Sequence, residues 1–202
     1  MTLLIADPTL QEDLIARRKA IGADHYDEVW EGVYFMPPSP NVDHGHRQSG
    51  LVRILLEIVE DQGLGGVITA PNVSDRRDDW TYNYRVPDIA VVLSDSRAEN
   101  AVTHLVGPVD FLVEVVSPGD RTYEKLDFYA QVGVRELLIL DRDPWALKLY
   151  RNDGQELALV AELLPGDGKS AESEILPLRL EFIQGDAAPV VAAISADKRW
   201  TA

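Results

Sequence analysis

Apolar residues along the chain fall into short blocks separated by Pro, Gly and Asp, and the period inside each block predicts an element. Leu51, Ile54, Leu55, Ile58 and Val59 recur at helical spacing, which predicts a helix from about Asp43 to Asp61, ended by Gly63, Gly65 and Gly66. An earlier amphipathic helix runs over residues 7–20, with Asp7 as its cap, Pro8 at its first position and Gly22 past its end. A third spans about Asp120 to Val132 and closes at Gly133. Strands are expected at Val67–Ala70, Arg85–Leu93, Val109–Val116, Glu136–Leu140, Trp145–Arg151 and Glu156–Leu163. Tyr26–Met36 reads as a strand or hairpin stopped by Pro37-Pro38-Ser39-Pro40, Asn72–Tyr84 as a loop or edge hairpin, and Ser94–Gly107 as a loop or short helix. The pattern does not assign the apolar stretch around Val190, Val191, Ala192 and Ile194. One strand–helix–strand unit, at residues 109–140, calls for a right-handed crossover between parallel strands. Short turns elsewhere favour antiparallel neighbours. The expected class is α/β, a mixed β-sheet flanked by helices.

Composition narrows the function. The chain has 202 residues, 46% of them hydrophobic, enough for one domain over residues 1–202 with a real core. There is no Cys, so disulfides, thiolate metal sites and Cys nucleophiles are excluded. No apolar run is long enough to span a bilayer, and the first residues lack the basic and apolar regions of a signal peptide, so the expected location is the cytoplasm. The formal charge is −15, with 19 Lys and Arg against 34 Asp and Glu. Such a chain does not bind nucleic acid by bulk electrostatics, which depends on Lys and Arg displacing counterions. No Gly-rich phosphate loop followed by Lys-Ser/Thr is present, which excludes a P-loop nucleotide cofactor site, and no Ser sits in a nucleophile elbow.

Asp88 and Glu114 stand out because each is a carboxylate in or beside a strongly apolar strand, where a charge needs a partner. Alternation puts Leu112, Glu114 and Val116 on one face and Phe111, Val113 and Val115 on the other, so Glu114 faces inward on a sheet apolar on both sides. Lys125, in the following helix and on one helix face with Tyr129, is the candidate cation, although spacing alone favours an exposed lysine paired with Glu124 or Asp127. Two readings stay open: structural ion pairs at strand ends, or a chemical site. His46 and His104 have no motif support.

The strings Val86-Pro87-Asp88-Ile89-Ala90-Val91-Val92, Phe111-Leu112-Val113-Glu114-Val115-Val116-Ser117-Pro118, Glu124-Lys125 with Tyr129-Ala130, and Gly133 to Asp141 occur in that order. Upstream lie Glu31-Gly32-Val33-Tyr34-Phe35-Met36-Pro37-Pro38 and Asp43-His44-Gly45. The set resembles the Uma-type family of restriction-endonuclease-like proteins, a branch of the PD-(D/E)XK nuclease superfamily, over about residues 24–182. The resemblance implies a restriction-endonuclease-like core, with the N-terminal helix before it and a C-terminal extension after it. It further implies a DNA substrate and Mg²⁺ or Mn²⁺ held by Asp88, Glu114 and the backbone carbonyl of Val115; because a duplex presents two strands, a homodimer is expected. Asp88, Glu114 and Lys125 would be the catalytic residues. The superfamily's usual lysine position, two residues after the acid, is Val116 here, so Lys125 would be a lysine relocated to the helix. Val33 stands where many relatives have Glu. Accessory candidates are His44, which would touch metal or phosphate or cap its helix, Tyr129, and Ser117 and Asp120 as turn and N-cap residues that aim Lys125. Arg76, Arg77, Arg85, Arg121 and Lys125 could form a local basic rim, or equally be ordinary surface charge balanced by Asp75, Asp78 and Asp79. A non-catalytic interaction protein on the same fold is the alternative.

Overall fold

The computed structural model describes residues 8–196 and 198–202. Helices are α1 (Pro8–Ala20), α2 (Val42–Leu55) and α3 (Leu126–Val132). Strands are β1 (Glu28–Trp30), β2 (Val33–Phe35), β3 (Gly65–Thr69), β4 (Val73–Ser74), β5 (Tyr84–Arg85), β6 (Ile89–Leu93), β7 (Glu99–Asn100) and β8 (Leu105–Val106). They continue as β9 (Phe111–Val115), β10 (Glu136–Arg142), β11 (Trp145–Asn152), β12 (Leu157–Leu163), β13 (Ser170–Glu172), β14 (Arg179–Ile183), β15 (Val190–Ser195) and β16 (Lys198–Thr201).

The central sheet has six strands in the order β12-β11-β10-β9-β6-β3. Only β9 and β10 run parallel in it, joined through α3 as the strand–helix–strand pattern requires; its other pairs are antiparallel. A second six-stranded sheet, β2-β1-β5-β4-β8-β7, and a four-stranded sheet, β13-β14-β15-β16, complete the α/β architecture. Successive residues of β9 serve two separate cores, as the alternation predicts. Phe111, Val113 and Val115 pack with Leu51, Ile54 and Ile58 of the second helical segment and with Leu180 and Phe182. Leu112 packs on the opposite face with Phe128, Tyr129 and Ile139.

Several expectations need correction. The Arg85–Leu93 run is two strands, β5 and β6, in different sheets, because Val86-Pro87-Asp88 interrupts it and Pro87 cannot donate to a ladder. The second helix is α-helical to Leu55 and then takes a π turn over Leu56–Glu60. Ser94–Gly107 forms no helix but the two short strands β7 and β8. The unassigned tail stretch is β15. Over residues 9–20 α1 has no buried residue, and Arg18 ties it to Asp27 rather than an apolar stripe tying it to the core; the proposed cap Asp7 lies outside the described residues. Gly133 closes α3 at φ 86°, a left-handed conformation natural to Gly. Among the described residues, no helix is long and apolar enough to cross a membrane.

Candidate active site

The β6–β9 register builds the site. Ile89 stands opposite Val113, and one step further along the antiparallel pair Asp88 comes beside Glu114. Cross-strand neighbours share a face, so two carboxylates that are far apart in sequence meet at one sheet end. Asp88 is held from three sides. Its Oδ2 accepts from the Val115 amide at 2.7 Å, its Oδ1 faces His44 Nε2 at 2.9 Å, and its carbonyl accepts from Gln48 Nε2 at 2.8 Å.

His44 belongs to the first turn of α2, and the helix cap is Asn41, whose side chain accepts from the His44 amide at 2.9 Å. The imidazole is therefore free for Asp88. Its Nδ1 lies 3.2 Å from Ser117 Oγ, which accepts from Arg142 Nη2 at 2.8 Å. A proton on Nε2 satisfies this chain: Arg142 donates to Ser117, Ser117 to Nδ1, and Nε2 to the carboxylate. The Ser117 side chain thus acts on His44, while its carbonyl accepts from the Asp120 amide at 2.9 Å in the expected turn. Arg142 also binds Asp43 Oδ2 at 2.6 Å and the Val116 carbonyl at 2.8 Å, clamping α2 to the end of β9. Asp120 is exposed, and its carboxylate accepts from the neighbouring Arg121 amide at 2.6 Å; it is not the expected N-cap, since the turn over Thr122–Lys125 begins at Arg121 without a side-chain cap.

Lys125 ends that turn and is buried. Its Nζ lies 3.1 Å from Glu114 Oε1 and 2.8 Å from Glu28 Oε1. Tyr129, on the same face of the following helix, donates to Glu114 Oε1 at 2.7 Å. Both donors use Oε1, and neither uses Oε2. Glu28 is the member of the site that sequence reasoning missed. Its signal was an acid in a short strand beside Val29 and Trp30, the same pattern that singled out Asp88 and Glu114. Trp30 Nε1 donates to its Oε2 at 2.7 Å and the Val86 amide to its Oε1 at 2.9 Å.

One ammonium therefore faces two carboxylates, Glu114 and Glu28, in a dry place. Burial, reinforced by Asp88 and Glu28 and opposed by Lys125, pushes the Glu114 carboxyl up to about 8. Burial alone would lower Lys125, but Glu114 and Glu28 outweigh it and hold the amine charged. Burial and the same two acids raise the Tyr129 phenol far above its ordinary value, so it acts as a donor.

The donor set suits a hard divalent ion: carboxylate oxygens, an excess of negative charge, and Glu114 Oε2 uncommitted to Lys125 or Tyr129. Among the described residues no group of three or more His, Cys, Asp and Glu is gathered closely enough to hold an ion. A metal here would rest on two carboxylates, Asp88 and Glu114, and on backbone oxygen at Val115, the last residue of β9. The expected basic rim is absent. Arg85 is buried between Trp30 and Phe128, and Arg76, Arg77 and Arg121 are paired with Asp75, Glu99 and Glu124.

Residues 21–186 match the family model of Uma2, described as "Putative restriction endonuclease". A comparison with curated proteins gave no match. Among solved structures, the chain is similar to the crystal structure of a putative nuclease belonging to DUF820 from Anabaena variabilis. The two share 18% identity at a TM-score of 0.58, over 74% of this chain and 82% of that one.

Proposed function

The chain belongs to the Uma2 family, and from that premise we propose that it is a metal-dependent endonuclease that hydrolyses phosphodiester bonds in DNA. The observation that carries this reading is the antiparallel register that sets Asp88 beside Glu114, with the Lys125 ammonium on Glu114 in the same buried spot. Asp88, Glu114 and the Val115 carbonyl would hold Mg²⁺ or Mn²⁺. The bound ion supplies Lewis acidity to the phosphate and lowers the pKa of its water. Lys125 provides a fixed positive charge where charge develops on the phosphoryl oxygens. Tyr129 fixes the Glu114 carboxylate, and His44 fixes that of Asp88 with Ser117 and Arg142 behind it. A homodimer would present one such site to each strand of a duplex.

One observation favours a second reading, an interaction protein on the nuclease fold. Asp88, Glu114, Lys125 and His44 are all buried and already paired with one another. The two readings separate on metal and DNA. Under the first, saturating Mn²⁺ raises the melting temperature, since an ion at ~100 times its Kd adds about 2.7 kcal/mol. Asp88→Ala or Glu114→Ala abolishes the rise. Plasmid or single-stranded DNA is cleaved with Mg²⁺ or Mn²⁺, and Lys125→Ala lowers that rate ~100-fold or more. No thermal response to either ion and no cleavage of either substrate would leave the interaction protein.

A further inference from the structure

Resting on the nuclease reading, we propose that Glu28 is a positioning residue that keeps Lys125 in place when Glu114 turns to the metal. In the present arrangement the ammonium has two anchors, Glu114 Oε1 at 3.1 Å and Glu28 Oε1 at 2.8 Å. Glu114 cannot serve fully as lysine partner and as metal ligand at once, because the charge that binds the ion is the charge that holds the amine. Glu28 has no such conflict. It lies on β1, in the second sheet rather than the central one, and its two oxygens are fixed by donors outside the central strands. The Trp30 indole N–H holds Oε2 at 2.7 Å, and the Val86 amide holds Oε1 at 2.9 Å.

The Val86 contact gives the arrangement its precision. Val86 stands two residues before Asp88 in the Val86-Pro87-Asp88 segment, where Pro87 limits the backbone. Glu28 therefore references the lysine to the segment that carries the other carboxylate. The Trp30 ring is itself held between Arg85, 4.4 Å from its centroid, and Arg121, 4.9 Å from it. Arg85 also covers Phe128 of α3 at 4.1 Å, so the stack ties β1 to the helix that follows Lys125. These donors satisfy Glu28 independently of the central strands, so it can stay in place as the second anchor of Lys125 when Glu114 changes role.

The test compares Glu28→Gln, Glu28→Asp, Glu114→Gln and the wild type by two independent measurements. In the metal-free protein, the ¹⁵Nζ ammonium resonance of Lys125 is expected to be protected from exchange in wild type. Protection should survive in Glu114→Gln and be lost in Glu28→Gln. In Mn²⁺-loaded protein, Glu28→Gln should lower kcat for DNA cleavage ~10–100-fold with KM within ~3-fold, and Glu28→Asp should recover part of the loss. Mn²⁺ affinity should stay within ~3-fold in Glu28→Gln and collapse in Glu114→Gln. The proposal is overturned if the Lys125 resonance stays protected in Glu28→Gln, or if that variant loses Mn²⁺ as Glu114→Gln does, which would make Glu28 a metal ligand. If the wild type neither binds Mn²⁺ nor cuts DNA, the nuclease reading fails, and the Lys125 resonance alone still decides whether Glu28 holds the amine.

Discussion

Glu114 shows how a single buried carboxylate can limit stability. Its carboxyl is pushed up to about 8, chiefly by burial, against an ordinary value of 4.5 in the unfolded chain. Between those values the folded protein holds a proton that the unfolded chain has released. The folded state then binds more protons than the unfolded one, and stability falls as pH rises through that window. In the metal-free protein, Glu114→Gln removes this titration, so its stability relative to wild type should climb from about pH 4.5 to pH 8. Urea unfolding of both proteins across that range checks it, and a difference independent of pH would refute it. Tyr123 has the same sign of linkage at higher pH. Burial and its hydrogen bond to Asp141 raise the phenol to about 12, so the stability it contributes is present below pH 10 and lost as pH rises toward 12. Ultraviolet titration of Tyr123→Phe against wild type should remove one phenol that ionises late. Residue types foretold much at this scale. A carboxylate in an apolar strand had to find a cation, and Lys125 was a candidate, but spacing alone favoured its pairing with Glu124 or Asp127, and only the fold brings it to Glu114. Glu28 escaped because its strand has only three residues, too short for alternation to mark it as inward.

Elements place these residues, and their legibility followed the length of the apolar run. β9 and β10, with continuous buried runs, and the parallel crossover between them were readable from pattern. The pairing of β6 with β9 was not, because side-chain period says which face a residue takes but not which strand lies beside it. That pairing is what brings Asp88 to Glu114. Likewise, His44 was placed correctly at the start of its helix, but the Asn41 cap that frees its ring for Asp88 depends on local geometry. Asn41→Ala is expected to cost about 1 kcal/mol of stability, measured by urea unfolding. It should also weaken metal binding more than its stability loss explains, because it loosens the turn that carries His44. At the end of α3 far from Lys125, Gly133 has φ 86°, and an added Cβ would lie 3.2 Å from Pro108 Cβ. Gly133→Ala should therefore destabilise by ~1 kcal/mol or more. A neutral result would mean that the helix end is free to adjust and does not hold Tyr129 and Lys125 in register.

For the whole molecule, the charge of −15 constrains how DNA can be engaged. The candidate basic residues are consumed internally: Arg85 in an aromatic stack, Lys125 between two carboxylates, and Arg76, Arg77 and Arg121 by neighbouring acids. No positive surface is left among these residues to concentrate a polyanion, and the Lys125 ammonium is already engaged by Glu28 and Glu114. Binding should then be gated by metal rather than by salt. In EDTA, a labelled duplex should show no retention even at low ionic strength. With Ca²⁺, which occupies oxygen sites without necessarily supporting cleavage, retention should appear. Its dependence on salt should be shallow, because the slope of log K against log salt follows the number of phosphates neutralised by Lys and Arg, and few are available. Fluorescence anisotropy across a salt series in EDTA and in Ca²⁺ measures both. Metal-independent binding with a steep slope would require a basic surface that this fold does not present among these residues, and would move the DNA contact away from the Asp88–Glu114 site.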